Sequence, residues 1–341
     1  MDKDKLEALR ARFAVGDASA IHDPKFKRVA DTQFNASGRR ALPYGGIPTL
    51  LDAPQATSLE GLQAALIGVP MDLGVTNRNG SRFGPRAVRA MERVGPYNHV
   101  LEVVPTSELK VADIGDVPFR SRYSLEMCHE DIEAFYREVK AAGVIPVSVG
   151  GDHSITLPIL KGIAKGDPVG LVHIDAHADT AGEFEASRFH HGGPFRQAVL
   201  EGALDPERTI QIGIRGAGEY LWEFSYESGM TIIHTETFAE MGVKAVIERA
   251  KQVVGDKPFY ISLDVDAFDP AFTPGTGTPE VGGLTPREGQ ALLRGLAGMP
   301  VIGGDVVEIA PQYDATTNTT HVGAQMLFEI LSLVALAQRG G

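Results

Sequence analysis

The sequence has few cysteines, few basic residues and no long apolar run, and each of these shortages excludes a class of protein. Its 341 residues include a single cysteine, Cys128, so intrachain disulfides and cysteine-cluster metal sites are excluded. No apolar run reaches the ~18 residues of a membrane-spanning helix. Basic residues are also in deficit: 32 Lys and Arg face 44 Asp and Glu, for a net charge of −12. This balance argues against nucleic acid and anionic membranes as partners.

The N-terminal stretch lacks the apolar core of a secretory signal, because MDKDKLEALRARF is charged and amphipathic. We therefore expect a cytoplasmic protein. Residues 1–60 are polar and rich in proline, which indicates an N-terminal arm laid over the body or over a neighbouring subunit; a partly disordered tail is the alternative. No composition break follows, so we expect one domain over residues 61–341.

The chain does have a regular alternation of apolar runs and amphipathic stretches. The apolar runs are Ala64–Val69, Leu109–Val111, Val144–Val149, Val169–Ile174, Thr209–Ile214, Met230–Ile233, Phe259–Leu263 and Val301–Val307. The helical stretches between them include Leu125–Ala142, Leu157–Ala164, Val243–Val254 and Pro286–Ala297. Runs that are apolar almost throughout are typical of strands covered on both faces. The alternation predicts a three-layer α/β/α fold with a central, mostly parallel sheet of about eight strands.

Polar residues follow four of these runs, where ligands gather in such sheets. In chain order they are His153, then Asp175, His177 and Asp179, then Asp264 and Asp266, and last Glu308. Asp175, His177 and Asp179 alternate along the chain, so they face the same way if that segment is extended. Each has a simpler interpretation, since His153 could merely begin a helix and aspartates often form turns.

The first six of these side chains are metal-ligand types, and they are too many for one catalytic cation with an open coordination position. Two divalent cations that share carboxylates would balance the aspartates, whereas without metal the clustered carboxylates would repel and their pKa values would rise. A two-metal site can lower the pKa of a water held between the ions. Oxygen-rich ligation favours Mn²⁺, and the imidazoles make Ni²⁺ the alternative.

Three segments resemble the signature blocks of the ureohydrolase family of arginases, agmatinases and guanidinobutyrases: VGGDHSITLPIL, HIDAHAD and SLDVDAFDPAFTPGTGTPEVGG. The resemblance extends from about residue 62 to the C-terminus. It implies an arginase-like fold, two manganese ions, a trimer or hexamer, and hydrolysis of a guanidine-type group to urea. It implies that His153, Asp175, Asp179 and Asp264 hold one metal, and that Asp175, His177, Asp264 and Asp266 hold the other.

The resemblance also implies three catalytic roles. Asp179 would orient the nucleophile and accept its proton, Glu308 would bind the guanidinium, and His191 would be the acid or proton shuttle. A planar guanidinium is oriented well by paired hydrogen bonds to a carboxylate, and an amine that leaves needs a proton donor such as histidine. His190 is the expected spectator. The alternatives are a solvated Glu308 and two histidines on a surface loop.

The sequence leaves three substrate classes as alternatives: an agmatinase-type guanidine, a guanidino acid such as guanidinobutyrate, and a metformin-type biguanide. Residues 180–184 (TAGEF) lack the asparagine expected for arginine, and Gly192-Gly193 departs from the Gly-Thr of many agmatinases. Glu219 would suit a cationic tail, and Trp222 could stack on it or simply pack in the core. A carboxylate tail would need one of the arginines, which are Arg78, Arg82 and Arg215.

Two further functions compete with these. A single-zinc amide deacetylase on the related fold would lack a second metal set, so His153 together with Asp266 argues against it. A non-catalytic subunit would usually have lost a metal ligand. We expect a homo-oligomer, and a hetero-oligomer with a related subunit is the alternative.

Overall fold

The computed structural model describes residues 2–33, 42, 44–92, 94–164, 166–216 and 218–339. The chain divides into two compact units, residues 1–47 and 48–341. The first contains α1 (Lys3–Phe13) and α2 (Pro24–Ala30), each begun by an aspartate whose carboxylate accepts a backbone N–H. No residue of these two helices is buried. The division into an arm of residues 1–60 and a domain of 61–341 stays a prediction.

The second unit contains one eight-stranded sheet in the order β2-β1-β3-β8-β7-β4-β5-β6, with every neighbouring pair parallel. The strands are β1 (Ala64–Val69), β2 (Val111–Asp116), β3 (Ile145–Gly150), β4 (Val169–Ile174), β5 (Leu204–Ile214), β6 (Thr231–His234), β7 (Phe259–Asp264) and β8 (Val301–Val307). Its helices are α3 (Gly84–Arg89), α4 (Pro105–Glu108), α5 (Leu125–Ala141), α6 (Thr156–Ala164), α7 (Pro194–Leu200), α8 (Glu223–Ser228), α9 (Thr235–Met241), α10 (Val243–Val254), α11 (Pro286–Gly295) and α12 (Asn318–Arg339). The predicted α/β/α architecture is confirmed.

The predicted β2 was wrong in its bounds. Leu109 ends the short helix α4, where its amide donates to Pro105, and the strand begins only at Val111. The apolar Leu109 is buried as a helix end rather than as a strand residue. β2 then continues through polar residues to Asp116, because it lies at the edge of the sheet and is covered only in part.

Apolar side chains cover both faces of the sheet. On one face α5, α6 and α7 contribute buried residues, among them Ile132, Ile159 and Phe195. On the other, α10, α11 and α12 contribute Val246, Leu292 and Leu327. Burying one such side chain stabilises the fold by roughly 1.5–3 kcal/mol. α12 is long and apolar enough for a membrane span, but 72% of its most apolar window is buried inside the protein.

The register of the four central strands determines which residues meet at the carboxyl edge of the sheet. Val149 of β3 pairs with Val306 of β8, Val306 with Leu263 of β7, and Leu263 with Ile174 of β4. These four residues form one row across the middle of the sheet. The residues that follow them therefore emerge side by side at the carboxyl edge, although the sequence separates them widely.

Candidate metal centre and active site

The structure brings the predicted metal ligands together at this edge. Two groups have donor atoms within 4.8 Å of one another: His153, His173, Asp175 and Asp179, and then Asp175, His177 and Asp266. Asp264 lies beside the first group, with its Oδ2 3.4 Å from Nδ1 of His153. Asp175 belongs to both groups, which is the position a bridging carboxylate requires.

The segment after β4 is bent rather than extended, so the alternation of Asp175, His177 and Asp179 is not what brings them together. Residues 175–177 bend, and the His177 amide donates to Oδ1 of Asp175 at 2.6 Å. Asp179 then has a φ of 53°, a left-handed conformation that residues other than glycine adopt uncommonly. With this bend and turn, Oδ2 of Asp175 and Oδ2 of Asp179 each lie 3.0 Å from Nδ1 of His153.

The tautomer of His153 shows that the nitrogen facing the site needs a cation. Ser262 donates its hydroxyl proton to Oδ1 of Asp305 at 2.6 Å, so Ser262 accepts the Nε2 proton of His153 at 2.8 Å. In the neutral imidazole Nδ1 is left with a lone pair, 3.0 Å from Oδ2 of both Asp175 and Asp179. It is buried and has no hydrogen-bond partner among the described residues. Facing acceptors repel unless a proton or a metal ion lies between them, and the nitrogen and carboxylate donors here fit a divalent metal that replaces the proton.

The pKa values at the site are shifted because several charged groups are buried close together. Burial, followed by the charges of Asp266 and Asp175, raises the pKa of Asp264 well above its ordinary value. Burial also raises the pKa of Asp266 to about 6, against the opposing effect of His177. For His153 burial lowers the pKa, but its aspartate partners raise it well above the ordinary value. Protons held by these groups must leave when a metal binds.

Sequence reasoning missed His173, which is buried beside the ligands. The Gln211 amide donates to the Ala178 carbonyl at 2.6 Å and to Nδ1 of His173 at 3.0 Å. Nε2 of His173 therefore carries the proton and donates it to Oδ2 of Asp175 at 2.7 Å. A protonated nitrogen does not bind metal, so His173 orients Asp175 instead. The sequence does contain a sign of this role, because His173 lies near the end of β4 and only two residues before Asp175.

Glu308 links the metal cluster to His191. Its Oε1 accepts the backbone N–H of His153 at 2.9 Å and contacts Nδ1 of His191 at 2.8 Å. Its Oε2 is buried and has no partner among the described residues. Glu308 has a φ of 64°, a strain of order 1–3 kcal/mol that the surrounding structure maintains. One carboxylate oxygen thus remains available for a ligand N–H.

A cavity of about 510 Å³ lies beside the cluster, and Glu308 is not among its described lining residues but contacts His191, which is. Its lining includes Thr76, His177, Asp179, His190, His191, Arg215, Trp222 and Asp264, together with Ala181–Phe184. His190, the expected spectator, has its Nε2 2.7 Å from the Gly182 carbonyl. The Trp222 ring lies 4.5 Å from that of His234. Glu219 and Arg78, both considered from the sequence, are not among the described lining residues.

Comparisons with known proteins identify the group to which this site belongs. The family model described as Arginase family matches residues 62–332. The chain belongs to the arginase family. A guanidinopropionase of Pseudomonas aeruginosa is 48% identical over 296 residues, which cover 86% of this chain and 93% of that protein. The mitochondrial agmatinase of Gallus gallus is 43% identical over 293 residues, 85% of this chain and 86% of that protein.

The fold comparison agrees. The structure of the proclavaminate amidino hydrolase from Streptomyces clavuligerus superposes with a TM-score of 0.82 at 33% identity, and covers 87% of this chain and 100% of that one. The arginase-like fold is confirmed, and this arginase-family chain is a ureohydrolase. The resemblance of the three sequence blocks is confirmed with it.

Proposed function

We propose that the chain hydrolyses the guanidino group of a small guanidine compound to urea and an amine, with two divalent cations per chain. The observation that carries this proposal is the lone pair on Nδ1 of His153, directed at two carboxylates. The unpaired Oε2 of Glu308 beside it supports the same conclusion. The guanidinopropionase and agmatinase similarities support the guanidino substrate class.

The donor set divides between two ions. His153, Asp175, Asp179 and Asp264 would hold one, and Asp175, His177, Asp264 and Asp266 would hold the other. When bound, the cations would lower the pKa of a water and so supply a nucleophile at neutral pH. Oxygen-rich ligation makes Mn²⁺ the proposed metal, and the two imidazoles make Ni²⁺ the second candidate.

The chain's own residues would bind the substrate and move protons. Oε2 of Glu308 would accept an N–H of the guanidinium, and Asp179 on the cavity wall would accept a proton from water. Burial lowers the pKa of His191, but Glu308 raises it to about 9, so His191 carries a proton to deliver to the amine that leaves. His191 and Asp179 both line the cavity.

A urea-release screen tests the function. The full chain is stripped of metal, reconstituted separately with Mn²⁺ and with Ni²⁺, and assayed on guanidines and biguanides. We expect urea from at least one compound, with two ions per chain by elemental analysis. Active protein that holds at most one ion per chain, or loaded protein that releases no urea, would overturn the proposal.

We also propose that the protein is a cytoplasmic homo-oligomer. Leu9 and Phe13 of α1 and Phe26 of α2 are exposed apolar residues, a pattern typical of surfaces that another protein surface covers. Sedimentation velocity at micromolar concentration is expected to show a trimer or hexamer. A monomer alone would contradict the assembly, and the cytoplasmic location stays a prediction.

A further inference from the structure

The cavity wall contains one arginine and no lysine among its described residues, and that arginine is already engaged. Among the described lining residues Arg215 is the single lysine or arginine. Its Nε donates to the Val281 carbonyl at 3.1 Å, and its Nη1 to the carbonyls of Gly213 and Ala267 at 3.0 and 3.2 Å. Its Nη2 donates to the carbonyls of Asp266 and Glu280, both at 2.7 Å. Every N–H of this guanidinium thus has a backbone acceptor, and none remains for a substrate carboxylate.

The nearby arginines are turned to other partners. Arg82 forms an ion pair with the buried Asp72. The guanidinium of Arg78 lies over the Tyr313 ring at 4.8 Å, and its Nε donates to the Gly277 carbonyl. The guanidinium of Arg196 lies over the Phe224 ring at 5.1 Å. None of these three is among the described residues that line the cavity.

The outer part of the cavity is aromatic and acidic instead. Phe184 and Tyr220 line it and are 54% and 79% exposed, so their rings present apolar surface to an entering molecule. Trp222 lines it as well, and Glu183 adds a negative charge. The faces of aromatic rings carry partial negative charge, which attracts cations and repels carboxylates.

We infer that the group attached to the substrate's guanidine has an apolar body and carries no carboxylate. This inference rests on the proposed function, and it deepens it by excluding guanidino acids as preferred substrates. A carboxylate in this cavity would lose its hydration, would find no free lysine or arginine on the described wall, and would lie near Glu183 and the ring faces. The imidazolium of His191 on that wall is already paired with Glu308. An alkyl or alkylammonium group would instead pack against the rings. The inference is drawn against the names of several similar proteins, among them a guanidinopropionase, a guanidino acid hydrolase and a guanidinobutyrase at 41–48% identity.

Three compounds of matched tail length test the inference: 4-guanidinobutyrate, agmatine and N-butylguanidine, whose tails are anionic, cationic and neutral. Urea release is measured with the manganese-loaded full chain. We expect kcat/KM for the acid to be at least about tenfold below both other values. An acid turned over as well as either partner would overturn the inference and leave the proposed function intact. No urea from any of the three, with two ions per chain, would overturn the inference, and the wider screen of guanidines and biguanides would then decide the proposed function.

A matched pair of variants tests whether Glu183 contributes to the preference against a carboxylate tail. Glu183→Gln removes the charge on the lining, and Glu185→Gln removes one from the same exposed loop outside it. Glu183→Gln is expected to lower kcat/KM for agmatine about two- to fivefold and to narrow its advantage over the acid, while Glu185→Gln changes neither. Equal effects of the two would overturn the part assigned to Glu183. The wild-type chain could instead prefer the acid, and this preference could disappear in Arg78→Met or Arg196→Met. That result would overturn the inference and identify the arginine that binds the carboxylate.

Discussion

Thr76 contacts Nε2 of His191 with two groups at once, its hydroxyl at 2.6 Å and its backbone amide at 3.1 Å. Because an amide N–H can only donate, Nε2 accepts, and neutral His191 has its proton on Nδ1, facing Glu308. The His191 amide in turn donates to the Gly74 carbonyl, and the Gly74 amide donates to the buried Asp152. The loop after β1 therefore fixes the orientation of the His191 ring.

This contact predicts a kinetic effect of Thr76→Val, which keeps the shape and the amide but removes the hydroxyl. The imidazolium form loses its acceptor at Nε2 while the amide N–H still opposes it, so the pKa of His191 falls. We expect kcat to fall about tenfold with little change in KM, and the alkaline limb of the kcat profile to move to lower pH. Thr76→Ser should restore most of the activity. Unchanged pH profiles would show that Thr76 does not act on His191.

Asp264→Ala is expected to abolish metal binding as well as turnover, because the carboxylate would belong to both ions. Elemental analysis after gel filtration measures the metals retained, and Asp167→Ala, at an exposed carboxylate, is the matched control. Without metal, the variant should melt no lower than the wild type, since burial and neighbouring charges oppose the charge on Asp264. Two metals per chain in the variant would contradict the bridging role.

Glu308→Gln is expected to separate substrate binding from metal binding. The amide keeps the shape of the side chain but removes the charge that would face the guanidinium. A charge-assisted hydrogen bond contributes about 1.5–3 kcal/mol, so kcat/KM should fall about 10- to 100-fold. Metal content should stay at the wild-type value, because Glu308 is not in the donor set. A silent variant would show that the guanidinium is held elsewhere.

Metal affinity should rise with pH. In the metal-free protein the pKa of Asp266 is about 6 and the pKa values of Asp264 and His153 are raised well above their ordinary values, so protons compete with metal in acid. Deprotonation above these pKa values favours the metal-bound form. Competition titrations with a chelating dye at pH 5.5 and pH 8 should show Mn²⁺ bound at least about tenfold more tightly at pH 8. Activity should peak on the alkaline side, and a maximum near pH 5 would count against the proposal.

Much of the site was predictable because each ligand follows an apolar strand directly. His153, Asp175 and Asp264 each come within a few residues of a run that can only be a buried parallel strand. Parallel strands place their carboxyl ends at one edge, so local pattern and fold class together predicted that these side chains converge. The bounds of β2 were less predictable, because Leu109 is equally apolar at a helix end and in a strand.

The roles of other residues depended on contacts that the sequence does not show. That His173 orients a ligand rather than binding metal follows from the Gln211 amide that occupies its Nδ1. Thr76 looks like an ordinary loop residue until the fold brings it to a histidine 115 positions away. A hydrogen-bond direction depends on both partners, and only the folded chain pairs them.

The sequence by itself determined the parallel α/β sheet, the aspartates and histidines that meet at its edge, and the family, because each depends on residue types at fixed local spacing. The tertiary structure alone decided that Arg215 is engaged by backbone carbonyls and that aromatic rings form the outer cavity. An arginine has the same charge wherever it stands in a sequence. Whether that charge is available to a substrate depends on the acceptors that folding places around it.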